Sequence, residues 1–597
     1  MNAETFLTIS IVLLAAGGIG AVVLYRMPYR KGRVLTSSNC MLAVVFLSSL
    51  LLFFPIYAKE FGLDVAGIFK SLLISIHTVM RLFVLDGDFE IILGFQESLS
   101  PQVGAAYSAV AAIVYVLGPV LTFGFILSFF KNITAYRDLY MHFMSDLYVF
   151  SELNEKSLVL AESIKQRAKR NIIVFTDVFT QEEEAAFELQ EKARELKAIC
   201  FKKDIVDINW NMSHKNRKVY LFTIGDDEAE NIEQSVKLAS RYAPLKNFQL
   251  FIFSSSAESE MLFSSIPGDG IRIRRINPTR TLIENILYQR GGEIFRNALD
   301  VGGSEKLISA VLLGLGQHGT EMLKALSWLC QMDGYRLEIN AFDKDPQALD
   351  KFKALCPELM SPDKNGTNLP GEARYKINIH AGVDTNTIQF QQQYQAIPHI
   401  TYVFVAMGED ARNIQTAITM RMLSERKGIH PHIQAIVYAP HKKAALEKVT
   451  DYRGHSYNID FIGDMRTAYS RDAIVDNQLY HVALERHLKW GSEHDFWAYE
   501  FNFHSSIAAA IHLKMRKECK MSWAHKTEAE LTIPERNQLE DLEHRRWNAY
   551  MRSEGFIYSG SVDKASRNDL AKMHNDLVPF ERLDEEEKRK DSIIGSE

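Results

Sequence analysis

The residues best placed for chemistry are three glycines and an acid. Gly314, Gly316 and Gly319 follow the apolar run Ser309–Leu313, and a helix-like segment extends from them to Cys330. A second apolar run, Leu337–Phe342, ends in Asp343, 24 residues beyond Gly319. Strand, glycine turn, helix, strand and acid form the spacing of a dinucleotide-binding unit. Gly314 permits the tight turn, Gly316 lets a phosphate approach the backbone, and Gly319 lets helix and strand pack closely. The first N–H groups of the helix then face the anion, and Asp343 accepts from a ribose hydroxyl. His318, inside the turn, could face a phosphate or be a solvated turn histidine. Lys344 could neutralise a phosphate or be a surface charge after the strand. Asp384 and Arg412 follow later strands, on the edge where such sheets bind ligands, although loop residues with no role are as common there. A nucleotide fold can also serve only as a packing unit, so the motif speaks to fold before it speaks to occupancy.

The elements around the motif repeat. Asp146–Phe150, Asn171–Thr176 with Asp177 after it, Ala198–Phe201, Lys218–Ile224 and Gln249–Phe253 have the composition of buried strands. Helical spacing at Glu155–Arg167, at Gln181–Leu196 and from Asp227 onward separates them. The same order returns from Ala310 through Asp343, Ile377–His380, Thr401–Ala406, the helix Ala411–Leu423 and Ile433–Tyr438. The stretches Thr223-Ile-Gly-Asp-Asp-Glu228 and Ala406-Met-Gly-Glu-Asp410 mark the repeat, each where a strand ends and a helix begins. Alternation of this kind predicts parallel sheets covered on both faces.

On the sheet order, the glycine turn and the acid, residues 140–490 resemble tandem RCK domains, the TrkA-type Rossmann modules found below potassium channels and transporters. The resemblance implies a cytoplasmic ring of paired modules that pulls on a pore when a ligand binds. The first module departs from it: Ser151-Glu-Leu-Asn-Glu-Lys-Ser157 stands where the glycines belong. Module one is therefore read as structural, and module two as the ligand site.

Upstream, Phe6–Tyr25 is an uncharged run long enough to cross a bilayer. Met1–Thr5 has no basic residue and a second apolar run follows, so the segment reads as an anchor and not a signal peptide. Arg26, Arg30, Lys31 and Arg33 follow it and put this loop in the cytoplasm, with the N-terminus outside. Cys40–Tyr57 and Ala105–Phe130 read as two more spans, which leaves everything after about residue 137 cytoplasmic. Between them, Gly67–Val84 is apolar but carries Lys70, His77 and Arg81, expensive on a lipid-facing helix. It reads as a re-entrant helix followed by an acidic turn, with Asp86, Asp88 and Glu90 as pore candidates that concentrate cations. The competing reading is an amphipathic helix lying in the interface. There is no Thr-Val-Gly-Tyr-Gly filter, which puts potassium selectivity in doubt.

At the other end, Gln538–Gly555 is an amphipathic helix with a glycine stop. The blocks Leu542-Glu-His-Arg-Arg-Trp-Asn548, Gly555-Phe-Ile-Tyr-Ser-Gly560, His574-Asn-Asp-Leu-Val-Pro-Phe580 and Leu583-Asp-Glu-Glu-Glu-Lys588 fall in order and resemble the RyR domain, the repeat of ryanodine receptors. Arg546, Trp547, Arg552 and Tyr558 mix cations with aromatic faces, which suits a nucleobase and phosphate. A helical domain with Trp547 in its core and solvated arginines is the alternative.

The expected architecture is an α-helical transmembrane domain (1–137; three spans plus a re-entrant helix), two α/β Rossmann-like domains (138–300 and 301–495), a linker (496–529) and a small, mostly α-helical RyR-like domain (530–597). The length of 597 residues accommodates this. Five scattered cysteines without a CxxC pair argue against a disulfide framework or zinc knuckle. A net charge of −6 gives no pull toward nucleic acid. No nucleophile motif or metal constellation is evident. The resulting expectation is a ligand-gated ion channel in the cell membrane, cation-conducting and homo-tetrameric. Its ligand would be a nucleotide (NAD, ATP or ADP, or a cyclic nucleotide), used in ion homeostasis or in bacterial antiviral defence. A membrane-anchored nucleotide-processing enzyme and a non-conducting nucleotide sensor are the alternatives.

Overall fold

The computed structural model describes the chain apart from residues 1–2, 27–36, 88, 142–144, 178–183, 212–216, 257–258, 260, 263–269, 303–304, 361–373, 447, 522 and 597. Asp88 and the basic residues Arg30, Lys31 and Arg33 thus lie outside the described residues. The chain divides into two compact units: residues 1–143 with 175–186 and 199–212, and the remainder.

The first unit holds α1 (Ala3–Arg26), α2 (Ser37–Phe61), α3 (Val65–Phe83), α4 (Glu90–Gln96) and α5 (Pro101–Met141). Four of these, α1, α2, α3 and α5, are long and apolar enough to cross a membrane. Three correspond to the expected spans. The fourth, α3, was expected as a half-length re-entrant element, yet its 19 residues reach about 28 Å at the helical rise, close to the ~30 Å of a hydrocarbon core.

Small residues decide how α3 packs. Gly67, Ser71, Ser75 and Thr78 form its buried stripe, and a Cβ at Gly67 would lie 2.4 Å from the Phe61 carbonyl oxygen. The Ser71 and Ser75 hydroxyls donate back to the carbonyls of Gly67 and Ser71, while Thr78 meets the Tyr57 hydroxyl of α2 at 2.9 Å. Close approach through small side chains with satisfied hydroxyls is how apolar helices associate in lipid. Lys70, His77 and Arg81 are exposed; their spacing of seven and four residues puts them on one face of α3. Near the end of α5, Tyr136 packs edge-on against Phe201, and Lys203 lies 5.5 Å from the Tyr136 ring.

The α/β region contains two sheets. The first has the order β3-β2-β1-β4-β5-β6, with β1 at Leu147–Phe150, β2 at Ile172–Phe175, β3 at Ile199–Cys200, β4 at Val219–Thr223, β5 at Phe248–Phe253 and β6 at Arg272–Ile276. The second has the order β10-β9-β8-β11-β12-β13, with a short β7 (Leu299–Asp300) antiparallel to β8. Its strands are β8 (Lys306–Leu313), β9 (Tyr335–Asp343), β10 (Tyr375–Ala381), β11 (Tyr402–Val405), β12 (His432–Ile436) and β13 (Ile459–Ile462). In each, chain order 3-2-1-4-5-6 places the reversal beside the first strand, the crevice where doubly wound sheets take ligands. The expected repeat of two Rossmann-like parallel sheets is present.

One expectation on organisation fails. Residues 496–529, read as a linker, contain the helix Glu500–Glu518, whose Ile507, Ile511 and Met515 are fully buried. They share a core with Leu326 of the glycine-turn helix (Gln317–Leu329) and Tyr550 of the helix Ile533–Ser553. The same helix carries His504, His512 and Arg516. All three are buried; His504 Nδ1 bonds Glu284, and His512 Nε2 bonds the Gln331 carbonyl.

Candidate functional site

The glycine turn follows β8 at the reversal point of the second sheet. Gly314 has φ +89°, and a Cβ there would lie 2.4 Å from the Ala406 carbonyl oxygen, so both the left-handed backbone and the close approach require glycine. A Cβ on Gly319 would meet the Gly314 carbonyl oxygen at 1.7 Å, which fixes it as the helix–strand packing glycine. Gly316 caps the helix Gln317–Leu329, and a Cβ there would meet nothing within 4 Å. The turn is therefore open on the side of Gly316, at the start of the helix.

Asp343 ends β9, as the spacing predicts. Its two carboxylate oxygens accept from the backbone amides of Leu315 (2.6 Å) and Asp345 (2.7 Å), so it first braces the turn, and a ribose hydroxyl would use the remaining lone pairs. Lys344 beside it is exposed. His318 is not a free cation facing the turn. Burial pushes its imidazole below the usual histidine range, against the opposing pull of Glu321, and Nε2 lies 2.6 Å from the Tyr438 hydroxyl. A neutral ring hydrogen-bonded to Tyr438, two residues past β12, holds the turn in place and does not neutralise a phosphate. Asp384 binds the Asn386 amide in its own loop, and Arg412 is half-buried near the start of the helix Asp410–Lys427.

The corresponding crevice of the first module is filled by its own side chains. Ser151 Oγ accepts from the Ile224 amide, Asn154 donates to the Ile224 carbonyl, and Glu152 Oε2 accepts from the Asp226 amide at 3.2 Å. Asn154 also forms a reciprocal cap with Ser157 on the helix Glu155–Arg167. These bonds occupy the place of the missing glycines.

Two asparagines passed over in the sequence do the same work in both modules. Asn231 accepts from the Gly225 amide and donates to the Phe253 carbonyl; Asn413 accepts from the Met407 amide and donates to the Ile436 carbonyl. Each lies six residues past the amide it binds, a periodicity visible in the sequence once the repeat is aligned.

A buried ion cluster joins the glycine-turn helix to the C-terminal segment. Lys324 lies 3.0 Å from Glu321 and 3.3 Å from Glu554, and Arg280 lies 3.0 Å from Glu554 and 3.2 Å from Glu284. Burial alone would raise the Glu554 carboxyl, but Arg280 and Lys324 together hold it well below the usual range.

The four cation and aromatic candidates of the C-terminal segment separate. Arg546 and Trp547 line a cavity of about 460 Å³. Arg552 does not: it is buried, donating to the Leu577 carbonyl and to Asn548, with Glu358 at 3.6 Å. Nor does Tyr558, half-buried in a two-stranded ladder with His574, its amide donating to Glu358. Both serve packing. Of the acids after α3, Asp86 accepts from Arg81 at 2.9 Å, and Glu90 lies in the first turn of α4. No protein-family model matches the chain, and no curated protein matches it either.

Proposed function

We propose that the protein is a ligand-gated ion channel whose second Rossmann-like module binds a cytosolic nucleotide of the NAD, ATP/ADP or cyclic-nucleotide type. The observation that carries the reading is the exposed stripe Lys70, His77 and Arg81 on the otherwise apolar α3. Charges on a membrane helix are costly against lipid and belong against water or a partner, and four copies of α3 around an axis supply an aqueous path.

In module two, the open side of Gly316 supports a phosphate contact. Ligand binding there shifts a closed–open equilibrium by the difference in affinity between the two states. A channel of this design serves ion homeostasis or depolarises an infected bacterium. Glu90, in the first turn of α4, favours cation conduction. The α3 stripe favours a second reading, anion conduction, because lysine and arginine rings select anions; Arg81 also partly neutralises Asp86. The reversal potential in asymmetric salt separates the two.

The test is conductance of the purified protein in planar bilayers with and without added NAD, ATP or cyclic AMP. Nucleotide-dependent currents, lost in Gly316→Val, are expected. Absence of current from a protein that still binds nucleotide would leave a membrane-anchored sensor, and turnover of the nucleotide would make it an enzyme.

A further inference from the structure

The cavity of about 460 Å³ lies in the second unit, away from the glycine turn, among the helices Gln478–His487, Glu500–Glu518, Ile533–Ser553 and Glu585–Gly595. Its volume falls within the ~300–1,000 Å³ typical of small-molecule sites. Its wall is unusual for a packing defect, since it is both aromatic and charged. Trp490, Trp547 and Phe501 contribute rings; Trp490 is 46% exposed, so it stands at the mouth. His574 lies edge-on to Trp547 at 4.9 Å.

Five cations reach the cavity (Arg486, Arg546, Lys564, Arg567, Lys590) against four carboxylates (Glu543, Asp576, Glu587, Asp591). Arg546 is 1% exposed. Its guanidinium meets Glu543 at 2.8 Å, yet its Nη1 and the second Glu543 oxygen have no hydrogen-bond partner among the described residues. We propose that this cavity is a second ligand site, for a nucleoside phosphate whose base stacks on Trp490 at its mouth and whose phosphate bonds to the cations that line it.

Two further groups fit that chemistry. Burial pushes the Asp576 carboxyl up to about 6 and the His574 imidazole down to about 4, so at neutral pH His574 is neutral and can exchange hydrogen bonds with base or ribose edges, while Asp576 stays mostly ionised and can accept from them. The biological use of the site rests on the nucleotide-gating reading, but its existence does not, and the binding test needs no current.

The test is calorimetric titration of AMP into the full-length protein in nanodiscs, using the Gly316→Val background to silence the glycine turn. One AMP site per chain is expected to remain. Trp490→Ala and Arg567→Ala, both at side chains more than 40% exposed, should each weaken it at least tenfold without lowering the melting temperature. Adenosine and inorganic phosphate should each bind at least tenfold more weakly than AMP. The proposal is overturned if Gly316→Val retains no AMP site, if the two cavity variants bind AMP as well as their parent, or if adenosine binds as tightly as AMP. Loss of AMP binding in the cavity variants with nucleotide-dependent currents absent throughout would uphold this site and defeat the channel.

Discussion

The two α/β modules share a strand order and the asparagine that locks the loop after their fourth strand, yet they treat the crevice beside the first strand in opposite ways. Module one fills it with Ser151, Glu152 and Asn154, bonded to the backbone of residues 224–226. Module two leaves the open face of Gly316, with Asp343 and His318 holding the turn from either side. Their ion pairs differ in the same sense. The helix after β8 is tied by buried charges through Lys324 and Glu554, whereas the helix after β1 carries the exposed pair Lys156–Asp226. A fold can thus be duplicated with one copy kept as scaffold and the other kept open, and a handful of side chains decides which is which.

The largest effect should come from removing module two's tightest approach. Gly319→Val places carbon where the Gly314 carbonyl oxygen already sits. Backbone on both sides leaves no flexible group to yield, so a loss of about 3 kcal/mol or more is expected. Thermal melts of the full-length protein should show module two unfolding early. Gly316→Ser supplies a good helix cap into open space and should change stability by less than about 0.5 kcal/mol. Equal destabilisation by both variants would mean that the turn is packed all round and has no ligand face.

Next is the buried cluster. Glu554→Gln leaves Arg280 and Lys324 short of one charge in a site where the Glu554 side chain is only 21% exposed, and about 3 kcal/mol should be lost. The pH dependence follows from the sign of the shift. The folded-state carboxyl is held below its ordinary value of 4.5, so its stabilisation is fully present above that value and is lost as pH falls below it. Melting temperature measured from pH 6 down to 2 should therefore fall less steeply in Glu554→Gln than in the unmodified protein. Parallel curves would place the acid sensitivity elsewhere.

How much of this was legible in the sequence depended on whether the relevant signal was local. The glycine turn, the closing acid and the alternation of strands and helices follow from backbone geometry that neighbouring residues dictate, and they emerged where expected. The boundary at residues 496–529 did not, because polar residues of that helix find partners far along the chain, as His504 does with Glu284, 220 positions before it. Nor could the sequence separate Arg546, on a cavity wall, from Arg552, one and a half turns along the same helix and turned toward Asn548 and Leu577. Both are arginines on one amphipathic helix, and only the packing around them tells them apart. The length of α3 was visible, but its charges argued for a shorter element, and composition could not weigh the two.

The smallest effect tests the scaffold side of the comparison. Lys156 Nζ and Asp226 Oδ1 are 2.9 Å apart, with side chains 38% and 68% exposed. Water screens such a pair, and holding two flexible side chains together opposes the attraction, so Asp226→Asn should cost no more than about 0.5 kcal/mol. That difference should shrink further in 1 M salt, where the screening length is about 3 Å. The backbone amide of Asp226, which Glu152 accepts from, is untouched by the substitution. A loss above about 1 kcal/mol that persists in high salt would therefore mean that the Asp226 carboxylate belongs to a buried network, and the contrast between an exposed pair in module one and a buried cluster in module two would no longer hold.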